Sequence, residues 1–331
     1  MHLGTTPWSF RALDADRLAA QAERAEALGF DSFWLPENHF SDDPAAAANR
    51  SALPDPLMLL AACAVRTERL RLGTTSYLLT LRNPIQAAEQ VAVLDQLSNG
   101  RVTLGVGRGF APPMLAAYGV VTREKRRIFE RCLLSMQALW RGESLAAALP
   151  PDWFEDLGGG NADAVRAELA NQFLAPLPVQ RPHPPIWVAA FGPKALAQAG
   201  RLGLPYLASP MESLAQLEDN WQRHRDAGAA AGTTPPQAVP IMRTVLVTGD
   251  AALARNLKAA LAATTASRSA TPPAPVDEWA LIGPAAEIRD RLARYRERLG
   301  VTHLIATRLR VEGVDPSIYE ASLAALSDLS S

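Results

Sequence analysis

Along most of the chain, short runs of β-branched and aliphatic residues alternate with longer stretches whose apolar positions recur every three or four residues. The short runs predict strands at His2–Trp8, Ser32–Glu37, Leu70–Ser76, Val102–Gly107, Ile186–Ala190, Tyr206–Ser209, Val239–Thr248 and His303–Thr307. The longer stretches predict helices over Asp14–Leu28, Asp55–Arg66, Pro84–Leu97, Arg123–Trp140, Lys194–Leu202, Ser213–Ala227 and Pro284–Leu299. Several carry their own punctuation: Gly29 follows the first helix, Pro84 opens the third and Asn99-Gly100 closes it. Eight strands in strict alternation with helices predict a single-domain α/β protein spanning residues 1–331, a (β/α)₈ TIM barrel, although a doubly wound open sheet has the same periodicity.

Two segments break this rhythm. Residues 142–184 are too long for an ordinary loop, hold Gly158–Gly160 and end in the proline-rich Val179–Pro185, which predicts a surface insertion after the fourth βα unit. Residues 264–278 combine small residues with proline and have almost no apolar anchor, which suits a mobile loop or lid.

Composition narrows the function. With 48% hydrophobic residues, 20% charged and a formal net charge of −1, the chain is a folded globular protein with no basic face for nucleic acid or an anionic membrane. No stretch approaches the ~20 apolar residues of a membrane span, and the N-terminal run lacks a signal core, so a cytoplasmic protein acting on a small molecule is expected. Cys63 and Cys132 sit in separate helical stretches and read as buried thiols. None of His2, His39, His183, His224 and His303 has the spacing of a zinc pair, so no metal site is expected.

In a barrel the chemistry sits where strands end. Strand two runs into Glu37-Asn38-His39-Phe40, strand three into Thr74-Thr75-Ser76, and strand four into Gly107-Arg108-Gly109-Phe110. Glu37 and His39 suit an ion pair at the rim as well as acid–base work. Arg108, between two glycines, suits either phosphate binding or a solvated turn. The glycines of Gly105–Gly109 have the wrong spacing for a dinucleotide fingerprint. Phe191-Gly192-Pro193-Lys194 opens a helix whose free amides, with the Lys194 charge, could meet a phosphate. Trp8, Phe40, Tyr77 and Phe110 fall near strand ends and suit either an apolar pocket or ordinary packing.

The run LGTTSYLLTLRNPIQAAEQVAVLDQLSNGRVTLGVGRGF (Leu72–Phe110) resembles the core motif of the bacterial luciferase-like monooxygenases. So do GFDSFWLPENHF (Gly29–Phe40), VQRPHPPIWVAA (Val179–Ala190) and LIGPAAEIRDRLARYRERLGVTHLI (Leu281–Ile305), in family order. The resemblance implies flavin at the C-terminal face of a (β/α)₈ barrel and a homodimer packed through the second and third helices. It also implies a monooxygenase that uses reduced FMN and O₂, the FMN being supplied by a separate flavin reductase. Arg108 matches the family's phosphate-binding arginine, and Thr75–Ser76 the non-proline cis peptide beneath the flavin ring, so Arg108, Thr75, Ser76, Gly192 and Lys194 form the cofactor set. Glu37, Asn38 and His39 form the catalytic set.

Two positions depart from the family pattern. Asn38 stands where the luciferase catalytic subunit has the first histidine of a pair, which argues against light emission. Phe191-Gly192-Pro193-Lys194 replaces a Ser/Thr-containing phosphate loop, leaving Arg108 and Lys194 to share that load. Two other readings remain open: a deazaflavin-dependent hydride-transfer oxidoreductase and a non-catalytic flavin-binding or supporting subunit. The strand-two motif, nearer the oxygen-using branch, favours FMN, and the retained Arg108 and His39 favour an active enzyme.

Overall fold

The computed structural model of the chain describes residues 1–9, 14–40, 55–157, 161–266, 274–308, 311 and 314–329. The chain forms two compact units interleaved in sequence. One comprises Met1–Leu35, Arg69–Arg71 and Trp187–Ser331; the other comprises Pro36–Glu68 and Leu72–Ile186.

In the first unit the strands β1 (His2–Thr5) and β2 (Ser32–Leu35) pair in parallel, Gly4 with Ser32. β10 (His303–Thr307) lies on the other side of β1 and pairs in turn with β8 (Pro240–Val247), which pairs with β9 (Leu281–Gly283). β6 (Ile186–Ala189) pairs with β7 (Tyr206–Leu207), and a bridge from Ala208 to Ile241 ties β7 to β8. Every ladder among the described strands is parallel, as expected of strands joined by helical crossovers. Trp34, Trp187, Leu207 and Ile305 pack together inside this sheet, with Trp34 stacked on Trp187 at 4.9 Å between ring centroids. Gly4 makes room for them, since a Cβ there would stand 2.6 Å from Ser32 Oγ and from Trp34 Nε1.

Outside the sheet, helices Ala15–Ala27, Pro193–Arg201, Leu214–Ala231, Ala251–Ala266, Ala285–Leu299 and Pro316–Asp328 bury one face each. Sequence fixes their ends. Ser213 and Gln216 form a capping box, and Gly300 closes its helix in the left-handed conformation at φ 68°. Between sheet and helices lies a polar network. Tyr206 donates to Glu212 at 2.5 Å, Asn220 donates to the same carboxylate at 3.2 Å, and buried Arg243 donates to Tyr295 at 3.0 Å and to the Ser209 carbonyl at 3.2 Å.

The second unit carries β3 (Arg71–Thr74), the short β4 (Tyr77–Leu78) and β5 (Val102–Gly107), with β5 parallel to both. Helices Pro56–Ala64 and Pro84–Leu97 begin at prolines capped by Asp55 and Asn83, whose side chains accept the amides of Leu57 at 3.1 Å and Ile85 at 2.9 Å. Lys125–Trp140 packs on the second of these, and the Trp140 indole donates to the Ala88 carbonyl at 2.9 Å. Cys63 and Cys132 are free and buried, as expected.

Among the described residues all eight expected strands and all seven expected helices occur, with ends trimmed by up to three residues and the helix from Ser213 running on to Ala231. Two strands, β4 and β9, and the helices Ala251–Ala266 and Pro316–Asp328 were not expected. Residues 142–184 hold three short helices, Leu145–Ala148, Pro151–Leu157 and Ala162–Glu168, and a bridge between Ser144 and Phe173. The expectation of a loop at 264–278 fails at both ends: Thr264 and Thr265 continue a helix, donating their hydroxyls to the carbonyls of Ala260 and Leu261, and Val276–Trp279 is helical. Residues 267–273, where a lid would lie, fall outside the described residues.

Candidate active site

The second unit gathers most of the expected site residues at the ends of β3, β4 and β5. Glu37 is fully buried, and its carboxylate is an acceptor on every side. Oε1 accepts from His39 Nε2 and from Arg82 Nη2, the latter at 2.5 Å, while Oε2 accepts the Leu78 amide at 2.8 Å. Burial pushes the Glu37 carboxyl up, and Arg82, the Leu78 amide and His39 oppose it in that order. The Arg82 guanidinium lies over the Tyr77 ring, 4.4 Å from its centroid. His39 is covered by Tyr118 at 5.2 Å between ring centroids, and Phe40 packs on Tyr118 at 6.0 Å. Asn38, between Glu37 and His39, is exposed.

Arg108 follows β5 directly, and its loop is held from two sides. Thr80 Oγ1 donates to the Arg108 carbonyl at 3.0 Å, and Lys125 Nζ reaches the Gly109 carbonyl at 3.4 Å. Gly109 takes φ 68°, a conformation in which a side chain is strained. Arg108 is half-buried, and its pKa is pushed down first by burial and then by the charge of Arg126.

The Thr75–Ser76 peptide is cis, as the resemblance implied. Ser76 stands against Gly107, where an added Cβ would collide with its hydroxyl. Gly192 and Lys194 belong to the first unit, where Gly192 at φ 75° precedes the helix Pro193–Arg201 and both are exposed.

Of the four rim aromatics, Phe40 and Phe110 are exposed at 51% and 82%, whereas Trp8 and Tyr77 are buried. Tyr77 is a support for Arg82 and not a rim residue. Arg82, Arg126 and Tyr118 were missed in the sequence. Arg82 had a signal, an arginine two positions before a helix-opening proline; Arg126 sits in the Lys125-Arg126-Arg127 run, which reads as a solvated helix start. Among the described residues no group of His, Cys, Asp and Glu could hold a metal, and no helix is long and apolar enough to cross a membrane.

The family model described as luciferase-like monooxygenase matches residues 2–303. The chain belongs to the luciferase-like monooxygenase family. It is 38% identical over 190 residues to the protein y4wF of Sinorhizobium fredii, covering 57% of this chain and 48% of that one. It is 28% identical over 198 residues to the oxygenase component of a flavin-dependent trigonelline monooxygenase of Acinetobacter baylyi, covering 59% and 49%. Limonene 1,2-monooxygenase of Rhodococcus erythropolis is 27% identical over 236 residues, covering 70% and 56%. The chain thus spans about half the length of these curated relatives.

Solved structures share the fold over nearly the whole chain. The monooxygenase RslO1 of Streptomyces bottropensis has a TM-score of 0.76 at 24% identity, covering 99% of this chain and 98% of that one. The oxygenating constituent of 3,6-diketocamphane monooxygenase of Pseudomonas putida, solved with FMN, has a TM-score of 0.73 at 19% identity, covering 99% and 96%. An F420-dependent secondary alcohol dehydrogenase, solved with an F420–acetone adduct, has a TM-score of 0.71 at 19% identity, covering 98% of each chain.

Proposed function

We propose that the chain is a flavin-dependent monooxygenase that takes reduced FMN from a separate flavin reductase and uses O₂ to oxygenate a small apolar substrate. The observation that carries this reading is Arg108 directly after β5, next to Gly107 packed on Ser76, in a chain that matches the luciferase-like monooxygenase family over residues 2–303. Reduced FMN, when bound, supplies the two electrons that let one oxygen atom enter the substrate while the other leaves as water. The chain's own residues bind and orient. Arg108 and Arg126 hold the phosphate, and Thr75, Ser76 and Gly107 carry the ring. Phe40, Tyr118 and Phe110 offer the substrate an apolar face and keep water from it. His39 moves the proton at this rim, and Asn38, which has no titratable group, positions substrate by hydrogen bonds. Glu37 has both oxygens engaged, so its part is to hold His39.

The fold that accompanies this function is the closed (β/α)₈ barrel, with residues 142–184 as the insertion after its fourth unit; the parallel ladders and the whole-chain likeness to solved structures support it. The protein works as a homodimer. Helices Pro56–Ala64 and Pro84–Leu97 bury apolar residues yet leave Met58, Val93 and Leu97 exposed at 74%, 40% and 50%, with Val65 beside them at 69%.

Anaerobic titration with FMNH₂, reduced riboflavin and a reduced deazaflavin tests the cofactor. FMNH₂ should bind tightest, and air should then oxidise it with kinetics altered from those of free FMNH₂. Tighter binding of the deazaflavin would replace this reading with hydride transfer, and binding of none would leave a supporting subunit.

A further inference from the structure

The carboxylate behind His39 determines which imidazole nitrogen is free to accept a proton. Two donors converge on Glu37, Arg82 Nη2 at 2.5 Å and the Leu78 amide at 2.8 Å, and His39 Nε2 lies within hydrogen-bond reach of the same carboxylate. The Glu37 side chain has no exposure, His39 has 8% and Arg82 has 16%. A carboxylate held among donors only accepts, so the His39 nitrogen that faces it carries the hydrogen, and Nδ1 keeps the lone pair. That arrangement depends on Glu37 staying ionised. Burial favours the neutral acid, and Arg82 is the largest influence against it. Without the guanidinium, Glu37 can take a proton and donate it to Nε2, which inverts the tautomer. Arg82 is itself fixed by the Tyr77 ring, whose hydroxyl donates to Gln90 at 3.0 Å.

We propose that Arg82 is a positioning residue that acts through Glu37 to hold His39 in its Nε2–H tautomer, leaving Nδ1 as the atom that takes and returns a proton during turnover. This rests on the reading of His39 as the proton-transfer group. The charged and titratable groups around the cluster are Arg82, Glu37 and Tyr77, with Tyr118 against the imidazole and Asp55 and Cys132 in range of Tyr77. Among the described residues Arg82 is the larger positive influence on the carboxylate, ahead of His39.

Imidazole nitrogen spectra of the ¹⁵N-labelled full chain, recorded above neutral pH without cofactor, test it, with His39→Gln identifying the signal. In the wild type, Nε2 should be of the protonated type and Nδ1 of the unprotonated type. Arg82→Met and Glu37→Gln should shift His39 to a mixture or to the opposite tautomer, while Arg82→Lys, which keeps the charge, should restore much of the wild-type pattern. With FMNH₂ supplied, kcat should fall about ten- to a hundredfold in Arg82→Met and less in Arg82→Lys. A wild-type Nδ1–H tautomer, or an Arg82→Met spectrum matching the wild type, would overturn the proposal. If Arg82→Met does not fold, the wild-type and Glu37→Gln spectra decide. Unchanged turnover in His39→Gln would overturn the role of Nδ1 and the reading of His39 above, and the tautomer spectra separate that failure from a failure of the Arg82–Glu37 hold.

Discussion

In the proposed function Arg108 and His39 carry separate roles, and each makes a separate demand. Arg108 is held by contacts to its own backbone and the next, from Thr80 and Lys125, so its guanidinium starts from a fixed base beside Arg126. Since only the phosphate distinguishes FMN from riboflavin, Arg108→Ala should weaken FMN binding and leave riboflavin binding nearly unchanged. Loss of a charge-assisted contact costs about 1.5–3 kcal/mol, one to two decades in affinity measured by fluorescence quenching. Equal weakening of both flavins would remove Arg108 from the phosphate. His39→Gln keeps a polar side chain but cannot take and return a proton, so turnover should drop. Unchanged turnover would make His39 a packing residue beneath Tyr118. Sequence placed both residues at strand ends. It could not show Arg82 closing on Glu37, because that ion pair joins residues 45 apart.

Among the elements, legibility follows length and chemistry. Helices with a capping residue and proline, such as Asp55-Pro56 and Asn83-Pro84, declared themselves because cap and periodicity agree. β4 and β9, two and three residues long, are too short to show alternation and exist because neighbouring strands supply their hydrogen bonds. The end of Ala251–Ala266 read as loop because small residues and proline dominate 264–278 with almost no apolar anchor, yet the Thr264 and Thr265 hydroxyls satisfy carbonyls one turn back.

At the end of β7 the Glu212 network makes a further prediction. Burial pushes the Glu212 carboxyl up to about 6 from 4.5, against the pull of the Tyr206 hydroxyl, Arg243, the Ser209 backbone and Asn220. A carboxyl whose folded pKa is raised binds its proton more tightly when folded. Its contribution is therefore complete below about 4.5 and lost as pH rises through about 6. The rise corresponds to ~2 kcal/mol. Urea denaturation of the wild type and Glu212→Gln should show the wild type losing ground by about that amount between pH 4.5 and 7.5. A difference that stays constant across the window would show that Glu212 is not perturbed.

At the scale of the molecule, two surfaces call for partners: the apolar helix pair and the flavin site. Met58, Val93 and Leu97 lie exposed on helices that carry apolar residues on both faces, the composition of an element covered twice. Leu97→Glu should convert the proposed homodimer to a monomer in sedimentation equilibrium while circular dichroism stays that of the wild type. A wild type that is monomeric at all concentrations would refute the interface.

Oxygen transfer itself is tested most directly with ¹⁸O₂. The chain would be supplied with FMNH₂ by a separate flavin reductase and offered a panel of small apolar substrates, with product mass as the readout. The account expects one ¹⁸O atom in the product of an accepted substrate, no labelled product without the chain, and none when reduced deazaflavin replaces FMNH₂. Unlabelled oxidation of a substrate by oxidised deazaflavin, or reduction of a substrate by reduced deazaflavin, would contradict it.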